Sequence, residues 1–481
     1  MAYHPAGEAY PGLGLVVGDR RISDSSGGTH AHIYPGSGKA TRELPLAGTE
    51  EIDAAVSAAR AALPDWRRMP AHARRAILNR LADLIDDAGG ELERLAAAEN
   101  GTLVSKAMLF RMGTSDAFRY YAGWVDKIGG DVIPTWPAPS LDYTQLEPYG
   151  VIAIILPWNV PLASFGQVVA GALAVGNTVV VKPSELAPFT CLKIGELCLA
   201  AGFPPGVVNI VPGTAQAGAD LVQHHGVDKI HFTGSGTTAR RIIASAGLTP
   251  VGLELGGKSA RIVFADADRS EAVRYAVNSA ISQAGQGCLI GSRLLVERSI
   301  YDDVVSLCRA EMENRTVGDP FESGTDMGPL INQVSRERIL SMVAEASQTG
   351  EATLVSGGHA LEGEGYYMAP TLFSDVRNET RLAQEEVFGP VLGITPFEDE
   401  ADAIRIANQS RYGLGAYLHT DNLRRAHRIA SALDVGNVWV NGYQMSASVP
   451  FGGNKESGFG RIGGRAGLHE FLRVKNVWMA L

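Results

Sequence analysis

A cysteine ends one glycine-rich run, Gln283-Ala284-Gly285-Gln286-Gly287-Cys288, and a carboxylate opens another, Glu254-Leu255-Gly256-Gly257-Lys258. Glycine neighbours leave the Cys288 sulfur open to a small molecule. A thiolate there would attack an electrophilic carbon, and a carboxylate from a separate segment would serve as base for water, which suits two-stage covalent catalysis. Taken singly, each residue has a plainer reading. A lone cysteine is more often a buried small hydrophobe, Lys258 after two glycines reads as a solvated turn residue, and Asn159 between Trp158 and Val160 reads as a turn asparagine. The other cysteines look like core: Cys191 and Cys198 share a face of one helical pattern, and Cys308 lies among Val304, Val305 and Leu307. No Cys-x-x-Cys or His-x-x-x-His spacing occurs, so no metal site is expected.

The elements that must hold these groups follow from periodicity. Helical patterns at 50–63 and 71–88 precede short apolar runs at 151–156, 178–181, 207–211, 229–232 and 251–255, which read as strands. Helical patterns at 163–175 and 187–201 separate the first of these. A second alternating region follows, with strands at 261–264 and 293–296 and a helix at 301–314. Strands alternating with helices predict an α/β fold whose parallel sheet is covered on both faces, with ligands at the carboxyl ends of the strands. Those ends carry Pro157-Trp158-Asn159-Val160-Pro161, Lys182-Pro183-Ser184-Glu185, Pro212-Gly213-Thr214 and Phe232-Thr233-Gly234-Ser235-Gly236. Four such loops on one sheet edge read as a cofactor site.

One motif competes for Glu254. Gly234-x-Gly236-x-x-Ala239 follows a strand, opens a helix and has Glu254 about twenty residues on, as a dinucleotide fingerprint asks. That fingerprint belongs at the first strand of a nucleotide unit, whereas here it follows the fourth. Ser235 at the helix start reads either as a ligand for pyrophosphate or as an N-cap, and Glu385-Glu386 alone reads as a solvated acidic pair.

Together, Asn159, Lys182-Pro183-Ser184-Glu185, Gly234-Ser235, Glu254-Leu255-Gly256-Gly257-Lys258, Gly287-Cys288, Glu385-Glu386-Val387-Phe388-Gly389-Pro390 and Pro450-Phe451-Gly452-Gly453 resemble the aldehyde dehydrogenase superfamily, in its order and over nearly the whole chain. The resemblance implies a Rossmann-like, doubly wound NAD-binding domain (1–127 and 148–256) and a second α/β catalytic domain (257–454). It also implies a small β oligomerisation element (128–147 and 464–481) that joins copies into a homodimer or homotetramer. Cys288 would form a thiohemiacetal and then a thioester with an aldehyde, and Glu254 would activate water to release the carboxylic acid. Asn159 and the Cys288 backbone N–H would hold the oxyanion. Relatives that acylate coenzyme A generally lack a glutamate at this position, so the resemblance is to the hydrolytic type.

On the cofactor side the resemblance assigns Lys182 and Glu185 to the adenosine ribose and Ser235 to the pyrophosphate. Glu386 would grip the nicotinamide ribose, with Phe388 flanking the ring. Pro157, Trp158, Ser184, Gly213, Gly234, Thr238 and Leu255 complete that surface. A glutamate at 185 repels a 2′-phosphate, so NAD is expected ahead of NADP. Positions matching the substrate tunnel are Val160, Ser164, Gln167, Ser282, Leu289, Tyr443 and Phe451. Several are smaller or more polar than in acetaldehyde-type relatives, so a medium-chain or aromatic aldehyde is expected. The sequence departs from the family pattern at Ala215 and Ala239, where glycine is common.

Composition bounds the alternatives. The 481 residues, 45% hydrophobic and 20% charged, predict a globular chain of two or three compact units. A net charge of −10 argues against nucleic acid or an anionic membrane as partner. Residues 1–18 show no basic patch followed by a long apolar run, and four cysteines in so long a chain read as reduced thiols, so a cytoplasmic location is expected. Two other functions fit parts of the pattern: a cysteine-dependent esterase or acyltransferase, and a non-catalytic relative of the fold.

Overall fold

The structure, a computed structural model, describes residues 14–480. The expectations for residues 1–13 and for residue 481 lie outside the described residues. Five parallel strands form the middle of the first sheet, in the order Val208–Ile210, Thr178–Lys182, Val151–Ile155, Lys229–Thr233, Val251–Glu254. Alternate residues of the central strand enter different cores: Ile152 and Ile154 pack with Phe165, Val168 and Leu192, while Val151, Ala153 and Ile155 pack with Val56 and Leu221. A strand apolar on both faces needs helices on both, and the doubly wound expectation is met.

Register aligns the functional strand ends. Ile155 lies opposite Lys182, Phe232 opposite Ile155, and Thr233 opposite Glu254. The loops that follow therefore share one edge. Antiparallel strands flank the parallel five: Leu15–Val17 and Arg20–Ile22 on one side, Gly458–Phe459 on the other. The last of these comes from far along the chain and puts Gly458 opposite Glu254.

The second sheet runs Thr353–Ser356, Thr371–Ser374, Val391–Phe397, Arg293–Glu297, Ala260–Val263, Gly415–His419, Asn437–Val440, parallel except at its first pair. It too is apolar on both faces, with Leu294 and Val296 in one cluster and Leu295 in another. A third, antiparallel sheet pairs Ser140–Pro148 with Leu472–Ala480 along its length and with Val132–Ile133.

One helix boundary differs from expectation. The helix expected to end near residue 63 runs Thr49–Arg68 with Pro64 inside. Proline removes one backbone bond, and the extra turn places Trp66, fully buried, against Phe203. Tertiary packing outweighs the local penalty here.

Buried Arg293 fastens the second sheet to the turn that leads into it and to the helix Glu400–Asn408. Its guanidinium donates to the carbonyls of Lys258 (3.0 Å), Ile406 (3.1 Å) and Ala407 (2.9 Å) and to Oδ1 of Asn378 (3.0 Å). Arg293→Met leaves these acceptors without partners and is expected to cost about 3 kcal/mol. Urea unfolding measures this, and an unchanged midpoint would show that the carbonyls find other donors.

Candidate active site

Two glycines bring the chemistry together. A side chain at Gly257 would begin 2.5 Å from the Cys288 carbonyl oxygen, and one at Gly256 would meet the Glu386 carboxylate. The turn after Glu254 thus seats the cysteine loop on Gly257 and Glu386 on Gly256. Close backbone approach, not an unusual dihedral angle, is what requires glycine here. The Gly257 N–H also donates to Oε1 of Glu386 (3.0 Å).

The cysteine loop holds a left-handed backbone at Gln283, Ala284 and Gly285 (φ 49°, 52° and 74°). Gly285 packs directly on the backbone of Gly389 and Pro390. Side-chain amides then fix the loop. Asn159 donates to the Gln286 carbonyl (2.8 Å), Gln283 donates to the Asn159 carbonyl (2.7 Å), and Asn100 donates to the carbonyls of Trp158 (2.9 Å) and Asn159 (3.1 Å). Gln286 accepts from the Ile331 N–H (2.8 Å). Asn159 therefore stands beside the cysteine loop. Sequence reasoning missed Asn100, Gln283 and Gln286 as its supports. Gln283 and Gln286 lie in the run that named Cys288, but nothing in the sequence marks Asn100.

Burial dominates the electrostatics. It pushes the half-buried Cys288 thiol up to about 12, and the charges of Glu386 and Glu254 push the same way, while the backbone N–H groups of Cys288 and Leu289 favour the thiolate. Glu254 is 4% exposed, and neither carboxylate oxygen has a hydrogen-bond partner among the described residues. Its pKa stands well above the carboxylate range because of burial, against which Arg461 acts. Burial likewise raises Glu386 to about 7, opposed by the Gly257 N–H, Lys258 and Arg338. Lys258 departs from its expected solvated turn. It is 3% exposed, and burial and Arg293 lower it to about 7.

The strand-end loops carry the expected cofactor residues. Lys182 is nearly fully buried, donates to the Pro183 carbonyl (3.3 Å) and lies in the field of Glu185. Ser184 pairs with Gly213 across the loop. Ser235 is the N-cap of the helix Gly236–Ser245, accepting from the Thr238 N–H (3.3 Å). The Trp158 and Phe388 rings meet edge to face at 5.5 Å. Leu255 directly follows the strand Val251–Glu254, Pro157 lies two residues past Val151–Ile155, and Gly234 fits where a side chain would strike the Phe232 ring.

Of the expected tunnel residues, Ser164 and Phe451 are buried, Val160, Gln167, Ser282 and Leu289 are half-buried, and Tyr443 is exposed. Next to Leu289 the structure adds two aromatic residues not anticipated from sequence, Tyr417 and Trp439, to the expected Tyr443. The Tyr417 hydroxyl donates to the Leu289 carbonyl (2.8 Å), its ring stacks on Trp439 at 5.0 Å, and Tyr443 meets both rings at 6.0 and 5.3 Å. Tyr417 and Trp439 are direct partners in neighbouring strands, so correct pairing would have revealed them. Trp439, Met445 and Phe451 border a cavity of about 210 Å³. Among the described residues no group of His, Cys, Asp and Glu is placed to hold a metal, and no helix is long and apolar enough to cross a membrane.

Known proteins resemble this chain in sequence and fold. The sequence profile described as "Aldehyde dehydrogenase family" matches residues 22–477. Aldehyde dehydrogenase 1A1 of Bos taurus is 43% identical over 96% of this chain and 94% of its own length. Benzaldehyde dehydrogenase of Antirrhinum majus is 41% identical over 97% of this chain and 89% of its own. The solved NAD+ complex of aldehyde dehydrogenase from Bacillus cereus superposes with a TM-score of 0.95 at 38% identity, covering 98% of this chain and 96% of that one. With the profile spanning nearly its whole length, the chain belongs to the aldehyde dehydrogenase family, a family of oxidoreductases.

Proposed function

We propose that this chain oxidises an aldehyde to the carboxylic acid with NAD, by covalent catalysis at Cys288. The carrying observation is the seating of the Cys288 loop on the turn that follows Glu254, with Asn159 bonded to the same loop. Cys288 attacks the aldehyde carbon, and the Asn159 amide and the Cys288 backbone N–H stabilise the oxyanion. When bound, NAD supplies a positive charge and the acceptor for the hydride that leaves that carbon. Glu254 then takes a proton from water, which cleaves the Cys288 thioester. A buried carboxylate whose two oxygens have no hydrogen-bond partner among the described residues suits a base that must hold a water.

The residues present fit the cofactor. Among the described residues Lys182 uses one of its three donors, and Glu185 beside it supplies acceptors, a complementary set for two ribose hydroxyls. The negative charge at Glu185 disfavours a 2′-phosphate, which supports NAD over NADP. The free amides of the helix Gly236–Ser245, with Ser235 and Thr238, suit a pyrophosphate, and Glu386 suits the second ribose. The wall of Tyr417, Trp439 and Tyr443, with small Ser164 and Ser282, favours a medium-chain or aromatic aldehyde, in line with the relative named for benzaldehyde.

The third sheet supports a homodimer or homotetramer. Val474 and Trp478 on Leu472–Ala480 are 67% and 59% exposed, a residue pattern suited to covering by a second copy. Four free thiols suit a reducing, cytoplasmic compartment.

Three outcomes are expected. Cys288→Ala abolishes oxidation while calorimetric NAD binding persists; appreciable turnover would remove Cys288 as nucleophile. Glu254→Gln keeps a first-turnover burst of NADH but slows steady turnover at least about 100-fold, and an unchanged steady state would sink the base assignment. Across an aldehyde series, kcat/KM rises from acetaldehyde to hexanal and benzaldehyde; a maximum at acetaldehyde contradicts the substrate assignment.

A further inference from the structure

Near the short helix Gly464–His469, the first sheet carries a row of buried polar groups to which the proposed function gives no part in binding the aldehyde or the dinucleotide. Side chains alternate along a strand. Leu253 enters the apolar core on one face of Val251–Glu254, so Gly252 and Glu254 share the other. On the neighbouring strand Lys229 and His231 share that face, with His231 directly opposite Gly252. No side chain fills the Gly252 position. Its place is taken by the Glu470 carboxylate, and a side chain at Gly252 would also begin 3.1 Å from Nδ1 of His231. Glu470 is tied there by Lys229, whose Nζ lies 2.7 Å from Oε1, both side chains being nearly buried.

Arg461 also stands beside Glu254. A side chain at Gly452 would begin 2.8 Å from both Oε1 of Glu254 and Cδ of Arg461, so these groups share the space that this glycine leaves. The guanidinium is held by the carbonyls of Gly453 (2.9 Å) and Gly460 (2.7 Å) and by Oδ1 of Asn454 (2.8 Å), with no salt-bridged carboxylate among the described residues. The catalytic carboxylate therefore has a fixed cation beside it and a fixed anion at the neighbouring position of its own strand face. Two positions along one strand face separate Gly252 and Glu254 by about 7 Å, close enough for charges to interact strongly where water is excluded.

We propose that Arg461 and Glu470 act through Glu254 as positioning residues, setting by their opposed charges the pH range over which it can accept a proton from water. This rests on the assignment of Glu254 as the base that cleaves the thioester. The titratable and charged groups facing Glu254 are Arg461, from the segment after Gly458–Phe459; Glu470, at the end of Gly464–His469; and the Cys288 thiol. Behind Glu470 stand Lys229 and His231 of the strand Lys229–Thr233. Burial and Lys229 hold His231 at about 3, so it stays neutral through the working range. Arg461 favours the Glu254 carboxylate and Glu470 opposes it, while burial outweighs both. With two opposed neighbours, Glu254 avoids both permanent protonation and a locked ion pair, either of which would deprive it of a base's function.

The test is the pH dependence of deacylation, followed as steady turnover after the NADH burst in the full-length enzyme. Removing the negative neighbour with Glu470→Gln moves the acid limb to lower pH by about half a unit or more. Removing the positive neighbour with Arg461→Gln moves it to higher pH, and Arg461→Lys restores it towards wild type. A merely structural role would lower rates without displacing the limb in opposite directions. If Arg461→Gln does not fold, Glu470→Gln against Glu470→Asp decides, since only the first removes the charge. An unmoved limb in Glu470→Gln, or movement to higher pH, overturns the inference. Glu254→Gln separates the two levels. A limb that persists there refutes the base assignment itself, whereas one lost there but unmoved in Glu470→Gln overturns only the role of Glu470 and Arg461.

Discussion

The contact between the Gly256-Gly257 turn and two distant loops is the constraint on which the site depends. Glu254 ends a strand of the first sheet, Cys288 precedes a strand of the second, and Glu386 lies farther along the chain. They converge because two consecutive residues lack side chains, letting the Cys288 carbonyl and the Glu386 carboxylate press on the backbone. A methyl group at Gly257 would push the Cys288 loop away from the turn after Glu254, and one at Gly256 would displace the Glu386 carboxylate. The rest of the architecture fixes that contact. Arg293 ties the second sheet to the Lys258 carbonyl, Gly285 packs on Gly389, and Asn159 ties the cysteine loop to the first sheet's edge.

Exclusion of water follows from this packing and sets the chemistry. Burial raises the Cys288 thiol and the Glu254 and Glu386 carboxyls, and lowers Lys258 and Lys182. Each shift disfavours charge in a dry site. A site so arranged favours neutral groups until a ligand brings charge of its own, which matches a nucleophile and a base required at different stages of one cycle. The asymmetric neighbours of Glu254 refine that environment for a single residue.

Much of this was legible in the sequence, for identifiable reasons. The parallel strands showed because runs such as Val151–Ile155 are apolar on both faces, and the strand-end loops because polar residues interrupt those runs abruptly. Cys288, Glu254 and Asn159 stood out through glycine and proline neighbours, and the structure brings all three to one place. Lys258 did not read correctly, since flanking glycines signal a turn whether or not the turn is buried. The supports Asn100 and Gln286, the stacking of Tyr417 on Trp439, and the Arg461, Glu254, Glu470 row all depend on pairing between remote segments. No local pattern encodes that Gly252 leaves a space for Glu470. The helix through Pro64 was lost because the gain that offsets the proline comes from Trp66 packing on Phe203.

A covalent acyl group on Cys288 is the central claim, and its direct test is to see the adduct. Glu254→Gln is mixed with NAD and benzaldehyde, quenched in acid, digested and mapped by mass spectrometry. The account predicts a benzoyl group on the peptide containing Cys288 and none on those containing Cys191, Cys198 or Cys308. NADH formed while Cys288 remains unmodified, or an acyl group on another cysteine, would contradict it.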